Sequence, residues 1–235
     1  MKTDARRDFL EDSSLFAGLA PAVLERILAV AVTRRLTRGE VLFQKGDPGD
    51  RLFGVISGRI KVHASSSDGK DVTLNLFKEG QFFGEIAILD ALPRTTDAVA
   101  LSACELLVIH RRDFLPLVES EGKLAIHMIR LLCDRVRRTS EMLEDAAFLP
   151  LEIRLAKQLL TLVRGYGQPV AGGIEIGLHL SQQELAHMLA ATRESVNKQL
   201  QAWVQAGWIE LQRSRITVIK PEALAAALRG TSGGD

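Results

Sequence analysis

Between Gly84 and Thr96 the chain reads Gly-Glu-Ile-Ala-Ile-Leu-Asp-Ala-Leu-Pro-Arg-Thr-Thr. The carboxylate of Glu85 and the guanidinium of Arg94 thus share a short, mostly apolar segment. Together they suit a ribose phosphate. The planar fork of Arg94 can grip a phosphate through parallel N–H donors. Glu85 can accept from a ribose hydroxyl, and Gly84 lets a ligand come close to the backbone. Ile86, Ala87 and Thr95 complete the candidate binding segment.

A second constellation lies nearer the C-terminus. Ser181-Gln182-Gln183-Glu184 has the serine–glutamate spacing of a capping box. Leu185, Ala186 and Leu189 form the inward face of the helix it would start. After Ala190-Ala191, Thr192 can cap a second helix, in which Val196 and Leu200 face inward and Arg193, Glu194, Asn197 and Lys198 point the other way. That is a helix-turn-helix, whose second helix enters the DNA major groove. Arginine suits guanine O6 and N7, and glutamate can accept from cytosine N4. Ser181, Gln182, Thr192 and Ser195 join the candidate DNA contacts. The run Ile209–Leu211, a polar turn at Gln212-Arg213-Ser214-Arg215, and Ile216–Ile219 predict a β-hairpin wing. Arg213 and Arg215 at its tip would suit phosphates. Many such turns carry glycine where this chain has Ala190-Ala191. If a left-handed residue is needed there, alanine costs about 1 kcal/mol.

The elements that would position these groups follow from periodicity. Residues 8–30 carry helical spacing, and Pro21 suits a first helical turn. From 31 to 110, short β-rich runs alternate with turns such as Gly46-Asp47-Pro48-Gly49-Asp50 and Ser66-Ser67-Asp68-Gly69, which reads as an all-β barrel or sandwich. Arg112–Val118 reads as a short helix, and a long one runs from Lys123 to Phe148. Its seam Ala125, Ile129, Leu132, Val136, Thr139, Leu143, Ala146 alternates steps of four and three, the a/d pattern of a coiled coil. A helix of about 26 residues is about 39 Å long, too long to hide against one small β domain. The expectation is a homodimer through residues 123–148. Thr139 and Ser140 interrupt the stripe, either as a polar notch that fixes register or because their hydroxyls face a ligand. Pro150 disfavours helix at Leu149 and marks a hinge before a helix over 151–165. Gly165 to Gly173 read as a loop, with a strand pair at Glu175-Ile176 and Leu178–Leu180.

Bulk properties narrow the class. The chain has 235 residues, 46% hydrophobic and 25% charged, with a net charge of +1. This is ordinary for a globular protein, and any nucleic-acid binding must come from a local basic surface. No apolar run approaches the roughly 20 residues that span a bilayer, so no membrane association is expected and the chain reads as cytoplasmic. Two cysteines, Cys104 and Cys133, fall short of the set of about four that an iron–sulfur cluster needs. Histidines at 63, 110 and 127 leave a haem ligand arithmetically available. Paired carboxylates at metal spacing, a His-Glu-x-x-His run, a phosphate loop and a nucleophile–base pair are all missing from the sequence, which argues against an enzyme or a metal site.

From about residue 10 to 220 the chain resembles the catabolite activator / fumarate-nitrate regulator family of bacterial transcription factors, and within it the cyclic-nucleotide branch. The resemblance rests on the Gly84–Thr96 cassette, on Gly-Asp-Pro-Gly-Asp and Ser-Gly-Arg-Ile-Lys-Val preceding it in order, on Thr139-Ser140-Glu141, and on the helix-turn-helix with its wing. It implies an α+β fold. Residues 8–122 would form a double-stranded, jelly-roll-like β-roll that binds a cyclic nucleotide. Residues 123–148 would form the dimerisation helix, and residues 149–228 a winged helix-turn-helix domain. By the same resemblance, Gly84 and Glu85 hold ribose and phosphate, and Arg94 neutralises the cyclic phosphate. Thr95 bonds phosphate or base, and Thr139 and Ser140 meet the base, Ser140 from the partner chain. The Thr139-Ser140 pair resembles sites for cyclic AMP (cAMP), whereas Thr95 resembles sites that also accept cyclic GMP (cGMP). Arg193, Glu194 and Lys198 match base-reading positions on a near-palindromic double-stranded DNA site. Lys198 stands where the family often has arginine, and it lacks the bidentate fork. RNA polymerase would be a further partner. The alternative is a regulator of the same fold that is ligand-independent or senses another small molecule.

Overall fold

The structure, a computed structural model, describes residues 3–66 and 70–228. The expected turn at Ser66–Gly69 lies largely outside them. The chain forms two compact units that divide within one long helix, between Thr139 and Ser140, with the short segment Lys70–Thr73 grouping with the second.

The first unit opens with helices α1 (Thr3–Asp12) and α2 (Pro21–Val30), the latter with proline in its first turn. Eight strands follow: β1 (Val32–Leu36), β2 (Val41–Phe43), β3 (Arg51–Ser57), β4 (Ile60–Ser65), β5 (Asp71–Phe77), β6 (Phe82–Phe83), β7 (Asp97–Ala100) and β8 (Cys104–His110). They build two four-stranded sheets in the orders β1-β8-β3-β6 and β2-β7-β4-β5, a β-roll whose edges are short. The long β3–β8 pairing sets Phe53 opposite Val108. Helix α3 (Glu85–Asp90) lies between β6 and β7, and α4 (Arg111–Ser120) follows β8.

Two apolar clusters hold this unit. Phe43, Phe53, Phe77 and Phe83 pack with residues of both sheets inside the roll, and the Phe77 and Phe83 rings stack with centroids 4.8 Å apart. Outside the roll, α1, α2 and α4 bury Leu10, Phe16, Ile27 and Phe114 with Phe82.

Helix α5 (Gly122–Phe148) has 27 residues. Leu124 and Met128 are buried and Leu131 packs against the outer cluster, so one stripe belongs to the helix's own unit. The opposite stripe is solvent-exposed and apolar: Ile126, Ile129, Val136 and Leu143 are 48%, 54%, 66% and 71% exposed, with the exposed Cys133 among them. The expected seam shares Ile129, Val136 and Leu143 with this stripe. Ala125 and Leu132, by contrast, are half-buried, and the intervening exposed positions are Ile126, Cys133 and Ser140. The exposed stripe thus departs from the expected seam by one residue at alternate steps, because the first unit covers the neighbouring face.

The second unit contains α6 (Leu151–Tyr166), β9 (Gly167–Val170), β10 (Gly173–Ile176), α7 (Gln182–Met188), α8 (Arg193–Gln205), β11 (Ile209–Gln212), β12 (Arg215–Val218) and α9 (Pro221–Ala227). Its sheet runs β11-β12-β10-β9. The segment expected as a loop at 167–170 is an edge strand paired with β10, where Pro169 is tolerated because one edge needs no donor. Leu178–Leu180, expected as a strand, is not one. Leu155, Leu159, Val196, Leu200 and Leu224 form the unit's buried centre. Lys157 Nζ sits 2.7 Å from Asp145 Oδ2, so an ion pair spans the bend at Leu149-Pro150.

Among the described residues, no helix is long and apolar enough to cross a membrane.

Candidate functional site

The Gly84–Thr96 segment folds around Arg94. Gly84 adopts φ +86° and caps α3; a Cβ there would lie 2.8 Å from Arg94 Nη1 and 3.0 Å from the Arg51 carbonyl oxygen. Only glycine fits that geometry. Ala87 lies beneath Gly49, where an added Cβ would come within 2.1 Å of the Ala87 Cβ. Backbone bonds clamp Arg94 from the preceding turn: its N–H donates to Asp47 at 2.8 Å, and its carbonyl accepts from Gly46 at 2.8 Å. Arg111 Nε donates to the Ile88 carbonyl at 2.7 Å and fixes the far end of α3.

The Arg94 side chain is 5% exposed. Nη1 donates to the Gly84 carbonyl at 3.0 Å and Nη2 to the Arg51 carbonyl at 2.7 Å. The guanidinium carbon lies 4.4 Å from the Phe43 ring centroid. Nε is buried without a hydrogen-bond partner, and no carboxylate comes within ion-pair distance of Arg94 among the described residues. Burial lowers its pKa below the ordinary arginine value, partly opposed by the fields of Asp50 and Glu85. A buried cation held by neutral carbonyls and aromatic faces, with carboxylates only at a distance, is incompletely compensated. A phosphate would supply both the missing charge and an acceptor, so the residues fit the anionic half of a cyclic nucleotide.

Glu85 is also buried, at 3% exposure, and it has a partner. Arg135 of α5 places Nε 3.2 Å from Glu85 Oε1. The same guanidinium donates through Nη2 to the Phe82 carbonyl at 3.0 Å and lies 4.6 Å from the Phe77 centroid. Arg135 therefore ties the cassette to the long helix. Sequence reading missed it, because one arginine among the charged residues of a helix carries no local mark of a partner fifty positions away. Ile86 is half-exposed and Thr95 is exposed. Thr139 lies one turn beyond Arg135, exposed, and its hydroxyl donates to the Arg135 carbonyl at 2.9 Å. Ser140 is exposed on the apolar stripe of α5, one turn from Val136.

The histidines considered above have other surroundings. His63 Nδ1 lies 3.9 Å from Asp97, and His110 Nδ1 lies 3.9 Å from Asp50. His127 Nδ1 bonds the Leu15 carbonyl at 2.9 Å.

The second constellation is built on α7 and α8. Ser181 forms the reciprocal capping box with Glu184, and Thr192 caps α8 by accepting from the Ser195 N–H at 3.2 Å. Between them Ala190 adopts φ +48°, so the turn does require the left-handed residue that glycine usually supplies. Val196, Leu200 and Trp203 bury one face of α8, which leaves Arg193, Glu194, Ser195 and Lys198 exposed on the other. Gln182 and Asn197 are engaged with each other at 2.8 Å, which braces the two helices. At the hairpin tip Arg213 has φ +56°, and Arg215 lies 3.7 Å from Glu175. His179 joins Arg213, Ser214 and Arg215 around a cavity of about 530 Å³. No sequence motif marks that histidine. A helix with free polar groups at its start, flanked by basic wing residues, can read a groove and grip phosphates.

Comparison with known proteins bears on both units. Residues 33–121 match the cyclic nucleotide-binding domain family, and residues 153–227 match the Crp-like helix-turn-helix domain family. The chain is 30% identical over 222 residues to a CRP-like cAMP-activated global transcriptional regulator of Mycobacterium tuberculosis, covering 94% of this chain and 99% of that protein. It is 31% identical over 196 residues to a global nitrogen regulator of a Nostoc species, covering 83% of this chain and 88% of the relative. Among solved structures it shares the fold of the c-di-GMP-responsive global regulator CLP of Xanthomonas campestris. That match has a TM-score of 0.75 at 24% identity and covers 85% of this chain and 99% of that one.

Proposed function

We propose, for a chain that belongs to the catabolite activator / fumarate-nitrate regulator family of transcription regulators, that it is a homodimer gated by a cyclic nucleotide, with cAMP as the activating ligand and cGMP also accepted. The family consists of DNA-binding regulators and not of enzymes.

The observation that carries the nucleotide reading is the buried, carboxylate-free guanidinium of Arg94 beside a glycine that no other residue could replace. The cyclic phosphate supplies a fixed negative charge. Arg94 and the Gly84 backbone would hold it, and the Glu85 carboxylate would accept from the ribose. Oε1 of Glu85 already takes the Arg135 bond, which leaves Oε2 for the sugar. Thr95, Thr139 and Ser140 would meet the phosphate edge and the base.

Gating follows from Arg135. The Arg135 guanidinium is a polar link between cassette and α5, beside the apolar cluster that both share, so a ligand that changes the demand on Glu85 alters the α5 position it favours. A ligand shifts a conformational equilibrium by its differential affinity for the two states. The exposed stripe Ile129, Val136 and Leu143 suits a second copy of the same helix, since a/d apolar spacing favours coiled-coil pairing. The binding unit would span 8–122, the dimer helix 123–148 and the DNA-binding unit 149–228. Two copies of α8 would then read successive major grooves of a near-palindromic site about 34 Å apart.

One observation favours a second reading. Glu85 is neutralised from within by Arg135, and a relative of similar identity over a shorter stretch of this chain is named a nitrogen regulator. A small anion that engages Arg94 without needing a ribose acceptor would also suit the cassette.

Fluorescence anisotropy of a labelled palindromic duplex, at one fixed salt concentration, separates the readings. Tightening with cAMP, and more weakly with cGMP, is the expected result. Equal binding with and without either nucleotide would overturn nucleotide gating.

A further inference from the structure

A second cleft lies on the face of α5 turned away from the exposed apolar stripe. It has a volume of about 340 Å³ and is lined by Arg130, Asp134, Arg135 and Arg138 of α5, by His127 one turn earlier, and by the loop around Ser14. Leu15, Leu131 and Phe82 give it an apolar floor. The size falls in the range of small-ligand sites, which are apolar with a few convergent polar groups.

Its charge is only partly compensated. Arg135 is paired with Glu85, and the other two guanidiniums, Arg130 and Arg138, face a single lining carboxylate, Asp134. Arg130 and Arg138 make no ion pair among the described residues, with Asp134 or any other group. Arg135 and Arg138 lie one turn apart, where like charges repel, Asp134 offsets part of the charge from the turn between Arg130 and Arg138, and apolar walls focus the remaining field into the cleft. His127 is oriented for the same task. Its Nδ1 faces the Leu15 carbonyl, which can only accept, so Nδ1 carries the proton and Nε2 is left for another partner.

We propose that this cleft binds a small phosphorylated anion between Arg130 and Arg138, at a site separate from the cassette. Planar guanidinium forks match phosphate oxygens in pairs, and the cleft is too small for a folded partner. Arg135 lines this cleft and also holds Glu85. An anion here competes for that guanidinium and loosens its hold on Glu85. This coupling rests on the nucleotide reading of the cassette; the binding itself does not.

The test uses the full-length protein and pyrophosphate as the probe, at constant ionic strength, followed by calorimetry and by the His127 ring resonances. Expected are saturable binding with one site per chain, a shift of the His127 signals at the same Kd, and binding about tenfold weaker in an R130Q/R138Q variant. Binding should persist in R94Q. Loss in R94Q with retention in R130Q/R138Q would place the anion in the cassette and overturn the proposal, as would no saturable response in either readout. The His127 resonances of the unaltered protein locate the probe even if R94Q fails to fold. Adding cAMP to the pyrophosphate-loaded protein tests the coupling separately: an altered cAMP Kd is expected, and an unchanged one removes it. Pyrophosphate binding without any cAMP binding would leave this site standing while the nucleotide reading fell.

Discussion

Arg135 and Glu85, fifty positions apart in sequence, meet at 3.2 Å in a pair whose carboxylate is almost wholly buried and whose guanidinium is about a quarter exposed. The asymmetry decides what each substitution does. Arg135→Leu strands a buried carboxylate and should destabilise the first unit by about 2 kcal/mol, less than the roughly 3–5 kcal/mol of a fully buried pair. Glu85→Gln leaves an arginine that water can reach and should cost about 1 kcal/mol. Urea unfolding of both single variants and the double variant measures the coupling. Equal losses in the two single variants would contradict the asymmetry.

Arg94→Gln should weaken cAMP binding on the order of 100-fold, the loss expected for a charge-assisted contact of about 3 kcal/mol. Unliganded stability should change little, because the variant removes an incompletely compensated buried cation together with two bonds to carbonyls. Thermal melts with and without cAMP check both halves. The ligand-induced rise in Tm should vanish in the variant, and a retained rise would exclude Arg94 from the phosphate site.

Ala190→Gly should stabilise the second unit by about 1 kcal/mol, since an L-residue at φ +48° carries the left-handed penalty. The readout is the midpoint of denaturant unfolding at unchanged slope. A lower midpoint would mean that the turn gains nothing from a missing Cβ.

The residues proposed to contact DNA should separate by role. Glu194→Ala should relax preference at one base pair, with a discrimination loss of about 1–3 kcal/mol. Arg213→Ala should weaken all sequences alike and lower the salt slope by about one. Anisotropy titrations on matched and mismatched duplexes across several salt concentrations distinguish the two.

Val136→Asp should abolish the proposed pairing through α5, since it sets a charge on an apolar stripe at a position that is 66% exposed in the single chain. Sedimentation velocity should then find a monomer of 25.8 kDa. A dimer that persists in this variant would move the interface elsewhere.

The two constellations differ in how far the sequence displayed them. The cassette is legible because Gly84, Glu85 and Arg94 fall within eleven consecutive positions, and the helix-turn-helix because its caps at Ser181 and Thr192 are local signals. The left-handed Ala190 was also legible, as an exception to turn chemistry. Arg135 was not, since its role is set by tertiary packing. The exposed apolar stripe of α5 was half legible. Periodicity locates Ile129, Val136 and Leu143, but only the burial of Leu124 and Met128 shows which flanking residues are spoken for. Strand β9 hid behind Gly167 and Pro169, residues that an edge strand accommodates and a central one does not.

Helix α5 carries a mechanical consequence. From Lys123 to Phe148 it contains neither glycine nor proline, the usual causes of a kink. Between Arg135 and Phe148 lie about three and a half turns, or roughly 20 Å of helix, with nothing to absorb torsion. The first glycine or proline beyond Lys123 is Pro150, at the bend that the Lys157–Asp145 pair spans. The helix is thus one uninterrupted rod over its whole length, and any joint in this stretch of chain falls at its end rather than along it.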